Sequence, residues 1–237
     1  MCTYRQHGGH VTEEDAGGLV GNRNVQALPS GDNNVAIRFL DPEIFERSFS
    51  GLTEPTVPAP SHMREYLGDT LAIRDVVTRF FQLIHPWFPI IAKRRFQDEI
   101  LNPLITPRAD LYFLCVCMKL LVQPPSDIQD PFRTSEYRQG KQLCHEIQLA
   151  NILSLEVLQA HVLLATYELG HGIYPAAHLS IGVCVKYALA LGMNWDGPSR
   201  KLPQPTGTGE EEQRRVLWAI FILERYAGGP GSILLST

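Results

Sequence analysis

No run of apolar side chains in these 237 residues reaches the roughly 18 needed to cross a bilayer. The longest candidate, Leu111 to Val122, is broken by Lys119 and reads as a buried helix, so no membrane partner is expected. The N-terminus has no basic segment ahead of an apolar core, which argues against a secretory leader. Cysteine is sparse and odd in number: Cys2, Cys115, Cys117, Cys144 and Cys184 do not form a disulfide framework and suit a reducing compartment. A basic surplus is missing as well. Residues 1–65 carry 5 basic and 9 acidic side chains, a net of −4, whereas residues 66–237 carry 16 of each. A domain that gripped nucleic acid would show a basic face, because phosphate contacts supply most of the affinity. Alternation with a period of two, the mark of a half-buried strand, is also lacking.

What is present is helical periodicity. Leu155, Leu158, Val162, Ala165 and Leu169 share one helix face, with Ser154 as the cap and Gly170 and Gly172 as the stop. Pro175 then suits the first turn of a second helix that Gly192 closes, with Leu179, Val183, Lys186 and Ala190 as one stripe. Small residues, Ala176, Ala177, Ser180 and Gly182, allow a neighbouring helix to approach. The pair is a packing unit, an αα-hairpin.

Earlier in the chain, Asp69 caps a helix in which Ile73, Val76, Val77, Phe80, Phe81 and Ile84 recur, and His85-Pro86 stops it. A short helix from Lys93 to Leu101 follows an apolar elbow. The segment from Ala109 to Val122 is apolar on every side, as expected of a central helix, and Thr134 to Asn151 is amphipathic. A last helix begins at Glu210, Glu211 and Glu212, whose carboxylates oppose the positive helix end, and runs to Tyr226. The fold class is therefore all-α, a multi-helix bundle of stacked αα-hairpins. Residues 1–65, with seven Gly and five Pro, read as a disordered tail. Within it, FLDPEIFERSF from Phe39 to Phe49 mixes acidic and bulky apolar residues, a pattern found in segments that fold onto a partner. Residues 66–230 read as the helical domain and 231–237 as a flexible end. Unpartnered Ile233, Leu234 and Leu235 suggest a domain truncated at its C-terminus.

Chemistry-bearing constellations are weak. Cys115 and Cys117 point to different sides of a helix, Cys144 and His145 diverge, and His171 and His178 straddle a turn, so no metal set is expected. HLSIG around Ser180 lacks the strand and the first glycine of a nucleophile elbow, and GGPG at 228–231 follows a helix where a phosphate cradle would follow a strand. Lys93-Arg94-Arg95 faces Asp98 and Glu99 one turn on, the pattern of a paired exposed surface. No acid, base and nucleophile align, so no enzyme and no catalytic residue is expected. The most suggestive polar set is EEEQRRVLWAIFILERY: Glu211 and Arg215 stand four apart, and Glu224 approaches the core edge, where it would need a partner. Structural or ligand contacts are expected of Arg215, Trp218, Glu224 and Arg225, and of His171 and Tyr174 at the hairpin turn.

Three blocks resemble the fungal-specific transcription factor domain, the helical middle region of zinc-cluster regulators. They are FFQLIHPWFPIIAKRRFQDEI (80–100), LLATYELGHGIYPAAHLSIGVCVKYALALGMNWD (163–196) and EEQRRVLWAIFILERY (211–226), in that order. The resemblance spans about residues 66–230. It implies a nuclear, non-enzymatic regulatory domain that does not itself read DNA. Its partners would be the transcription machinery or regulatory proteins, with DNA reached only through a separate module. A small-molecule effector and a homodimer are compatible with it. The family's zinc cluster, six cysteines on two ions, has no matching spacing here, so no cofactor is assigned to this chain. Leu217 stands where a second tryptophan is common, and Glu224 where aspartate is common. A repeat-type helical interaction scaffold is the alternative reading, although no second copy of the 155–192 pattern is seen.

Overall fold

The computed structural model describes residues 58–59, 61–101, 108–123, 134–193 and 208–228; residues 1–57 of the tail, with its Phe39–Phe49 segment, and residues 231–237 lie outside them, while a helix already begins at Ser61, within the span read as tail. Eight helices follow one another among these residues: α1 (Ser61–Leu67), α2 (Thr70–Leu83), α3 (Lys93–Ile100), α4 (Ala109–Val122), α5 (Ser135–Leu149), α6 (Leu155–Gly170), α7 (Ala176–Ala190) and α8 (Thr208–Gly228). The fold is all-α. Among the described residues, extended pairing is confined to one isolated bridge, Pro58 with Arg108.

Local signals set most of these boundaries. The Asp69 carboxylate accepts from the Ala72 amide at 2.8 Å, Thr134 Oγ1 from Tyr137 at 3.3 Å, and Ser154 Oγ from Val157 at 3.2 Å, each meeting one of the amides a helix start leaves unbonded. Gly172, at φ +63°, takes the left-handed turn after α6; Gly170 remains inside the helix. Pro175 occupies the N-cap of α7, after a cis Tyr174–Pro175 bond.

Packing is organised around α4 and α6. Every residue of α4 from Ala109 to Met118 is buried, and α4 packs against α1, α2, α5 and α6. α6 packs against α4, α7 and α8, so the α6–α7 hairpin forms the second half of the core. Close approach of α5 to α4 depends on Gly140, where a Cβ would lie 2.9 Å from Leu120 Cδ1. Long charged side chains close several helix ends from neighbouring helices. Arg79 Nη2 donates to the Val122 carbonyl at 2.7 Å, and Lys119 Nζ donates to the Tyr66 carbonyl at 2.8 Å while lying 4.2 Å from the Tyr66 ring centroid.

In α7 the stripe through Leu179 and Lys186 is the outer one, and of the small residues expected at a helix contact Ala177 and Ser180 lie inward. Leu179 is 69% exposed and Lys186 is exposed, while Ala177, Ser180, Ile181, Cys184 and Ala188 face inward. Periodicity has little contrast in AAHLSIGVCVKYALA, where almost every residue is apolar or small, so the partner helices decide which face is buried.

Candidate functional site

The start of α3 lacks a capping side chain, because its N-cap is Ala92. Glu212 of α8 supplies one. Its Oε1 accepts from the Ala92 amide at 2.8 Å and from Gln159 Nε2 at 2.8 Å, and its Oε2 accepts from Arg95 Nη2 at 3.0 Å. Arg95 Nη1 donates to Glu156 Oε1 at 2.7 Å. Arg108 grips Asp110 with two bonds of 3.1 Å and lies 3.6 Å from Glu156 and 3.8 Å from Glu99. Glu156, Asp110 and Glu212 are buried, so two guanidinium groups serve three buried carboxylates and the partly exposed Glu99. Burial opposes the charge on Arg95, but Glu156 and Glu212 outweigh it and hold the guanidinium above its usual range. Burial also pushes Glu99 up, against Arg95. Such a cluster adds little net stability over an apolar core, yet removing one member leaves an uncompensated charge. It therefore fixes where α8 sits against α3 and α6.

The opposite face of α8 is open. Arg215 Nε reaches Glu211 Oε1 at 2.9 Å, and Arg214 Nη1 reaches Glu211 Oε2 at 2.8 Å. Trp218 is 56% exposed and meets the Phe221 ring edge-on at 5.8 Å; Arg225 lies 5.0 Å over the same ring. Ile222 and Tyr226 extend this exposed strip, and Glu224 is half-buried on its flank. The inner face carries Val216, Ala219, Ile220 and Leu223.

His171 and Tyr174 lie elsewhere, at the α6–α7 turn. His171 Nδ1–H donates to the Tyr167 carbonyl at 2.8 Å and stacks on the Tyr167 ring at 4.1 Å; Tyr174 is exposed and meets His178 edge-on at 5.2 Å. The six residues singled out from sequence thus form two sets, and no described hydrogen bond, ion pair or ring contact joins them.

A second polar cluster links α5 to the hairpin and has no counterpart in the sequence reading. Tyr137 Oη donates to Glu168 Oε1 at 2.7 Å, and Lys141 Nζ donates to the same oxygen at 2.9 Å and to Ser180 Oγ at 3.2 Å. Burial, then the bond to Glu168, raises the Tyr137 phenol. One turn along α5, Cys144 Sγ and Gln148 Nε2 each lie 3.3 Å from His161 Nε2. The Val157 carbonyl, 2.8 Å from Nδ1, can only accept, so Nδ1 carries the proton and Nε2 is the acceptor. Burial drives Cys144 up to about 11, and Cys115, Cys117 and Cys184 higher still. A carboxylate or histidine on an otherwise apolar helix face (Glu156, His161 and Glu168 in α6) is the one sequence signal that could have marked both clusters.

Among the described residues no group of three or more His, Cys, Asp or Glu is arranged to hold a metal ion. Five cysteines in the whole chain cannot supply the six of a two-zinc cluster, so such a cluster does not fit these residues.

The sequence model of one family, the fungal specific transcription factor domain, matches residues 77–228. The chain belongs to that family. Its matched region runs from within α2 to the end of α8 and so contains both polar clusters. Transcription factor BOA15 of Botryotinia fuckeliana (strain B05.10) is 37% identical over 163 residues, covering 68% of this chain and 88% of that protein. No solved structure matches the chain. As a fungal-specific transcription factor domain, the chain has a role in transcription regulation.

Proposed function

We propose that the helical part of this chain is a non-enzymatic regulatory domain that controls transcription in the nucleus through an exposed helix face. It binds regulatory proteins or the transcription machinery and reaches DNA only through a separate module. The reading is supported by membership of the family and by a relative named as a transcription factor. The observation that carries it is the two-sided character of α8. Glu212 ties the helix inward, while Trp218, Ile222, Arg225 and Tyr226 stand outward with aromatic and cationic side chains, the types enriched where proteins bind one another. The near-neutral balance of residues 66–237 is consistent with a domain that leaves DNA to another part.

The test is the full chain fused to a heterologous DNA-binding module on a reporter, compared with the same fusion carrying Trp218→Ala and Tyr226→Ala. Altered output from a variant that keeps its helical circular dichroism supports the reading. Output identical with and without residues 61–228 rejects it.

A further inference from the structure

Glu168 differs from the other buried carboxylates. Its side chain is 0% exposed, its Oε1 takes both available donors (Tyr137 Oη and Lys141 Nζ), and its Oε2 is buried with no hydrogen-bond partner. Glu156 and Glu212 share Arg95, and Arg108 stands beside Glu156. Glu168 is paired with one lysine, whose own side chain is 37% exposed. Of the described lysines, only Lys141 is paired with a buried carboxylate; Lys93 and Lys119 lie over aromatic rings, and Lys186 is exposed. The amine that neutralises a fully buried acid is thus within reach of solvent. A lysine amine can also be acylated and lose its charge, as the guanidinium groups of the other cluster do not.

We propose that Lys141 is a modification site whose charge latches α5, and that acylation by an acyl thioester releases α5 from the α6–α7 hairpin. The ammonium first gives its proton to solvent. The free amine attacks the thioester carbonyl, a C–N bond forms as the C–S bond breaks, and the nitrogen's second proton passes to the departing thiolate, which leaves as the thiol. The amide that results carries no charge. Glu168 then keeps only the Tyr137 hydroxyl, and a buried carboxylate without a counter-charge is strongly disfavoured. The strain is relieved when α5 lifts and water reaches Glu168. α5 is suited to this, because α4 and α6 are its main helix contacts, and its hydrogen-bonded tie to α1 among the described residues is an exposed pair, His62 with Glu146 at 2.8 Å. Lifting uncovers Cys144 together with an apolar surface. Its meaning as an input to transcription rests on the regulatory reading above, whereas the latch itself is measured without any reporter, so either can fail alone.

The experiment uses the full chain with Lys141→Nε-acetyl-lysine, Lys141→Gln, Lys141→Arg, and the double variant Lys141→Gln with Glu168→Gln. Alkylation of Cys144 is followed by mass spectrometry alongside the melting midpoint. The acetylated chain and Lys141→Gln are expected to label Cys144 about tenfold faster or more and to melt earlier, as loss of a buried pair requires. Lys141→Arg should behave as the unmodified chain does. The double variant should return toward it, because the stranded charge has gone. Unchanged labelling after acetylation, or a double variant as labile as Lys141→Gln, overturns the latch. Should the single variants fail to fold, the unmodified chain treated with a small acyl thioester decides it: Lys141 acylated together with faster Cys144 labelling supports the proposal, and Lys141 spared while Lys93 and Lys186 react overturns it.

Discussion

Glu212 Oε1 lies 2.8 Å from the amide of Ala92, so a carboxylate on the last described helix caps a helix that begins 120 residues earlier. The same side chain takes Arg95 and Gln159, which makes it the point where α8 is keyed to the rest of the bundle.

Glu212→Ala removes that cap and leaves Arg95 to Glu156 and Glu99. Because Arg95 retains solvent on 41% of its side chain, the expected loss is below that of a sealed pair, about 2–3 kcal/mol in chemical denaturation. Glu212→Gln, which can still accept from Ala92, should lose less. Equal losses would show that the charge is irrelevant.

The two faces of α8 should separate stability from regulation. Leu223→Ala, on the inner face, is expected to cost about 2–5 kcal/mol. Trp218→Ala, on the outer face, should stay within about 0.5 kcal/mol, since an exposed side chain loses little on truncation. Paired urea titrations check both values, and a Trp218 loss as large as that of Leu223 would contradict the assigned faces.

Stability should fall on the acid side. Burial lowers His161 from its ordinary 6.5, with the Val157 carbonyl opposing, and burial together with Arg215 and Lys93 lowers His85. Both groups bind protons first in the unfolded chain, so their contribution is complete above pH 6.5 and is lost as pH falls through 6.5 toward the depressed values. Glu99 acts in the opposite sense. Burial raises it above 4.5, so its contribution is present below that pH and is lost as pH rises through the raised value. Melting midpoints between pH 8 and 5 should decline below about 6.5, and His161→Gln should flatten that limb. An acid limb unchanged in both His161→Gln and His85→Gln would rule out this origin.

Buried thiols held in the protonated form are poor nucleophiles. In the native chain Cys115, Cys117 and Cys184 should resist iodoacetamide until unfolding, and Cys144, pushed only to about 11, should be the first of the four to react. Peptide mapping after timed alkylation gives the order, and early loss of Cys117 would contradict it.

Much of the helical layout is legible in the residues themselves. Asp69 and Ser154 cap the helices their spacing announces, and the uniformly apolar Ala109–Val122 is the buried α4. Glu211 and Arg215, four apart, form the expected pair. These features depend on neighbours within one or two turns, and such neighbours are written in sequence order. The family blocks are legible for a similar reason, since each is a continuous stretch.

Other relationships were settled only when helices met. The apolar run of α7 offers no contrast to choose a face, and contact with α6 and α8 turns Leu179 outward and Ser180 inward. Cys144 meets His161, on α6, and forms no described bond with its neighbour His145. Lys141 finds Glu168, and Glu212 finds Ala92, across 27 and 120 residues. A buried charge must have a partner, but nothing in its local spacing names which helix supplies it; packing geometry makes that choice.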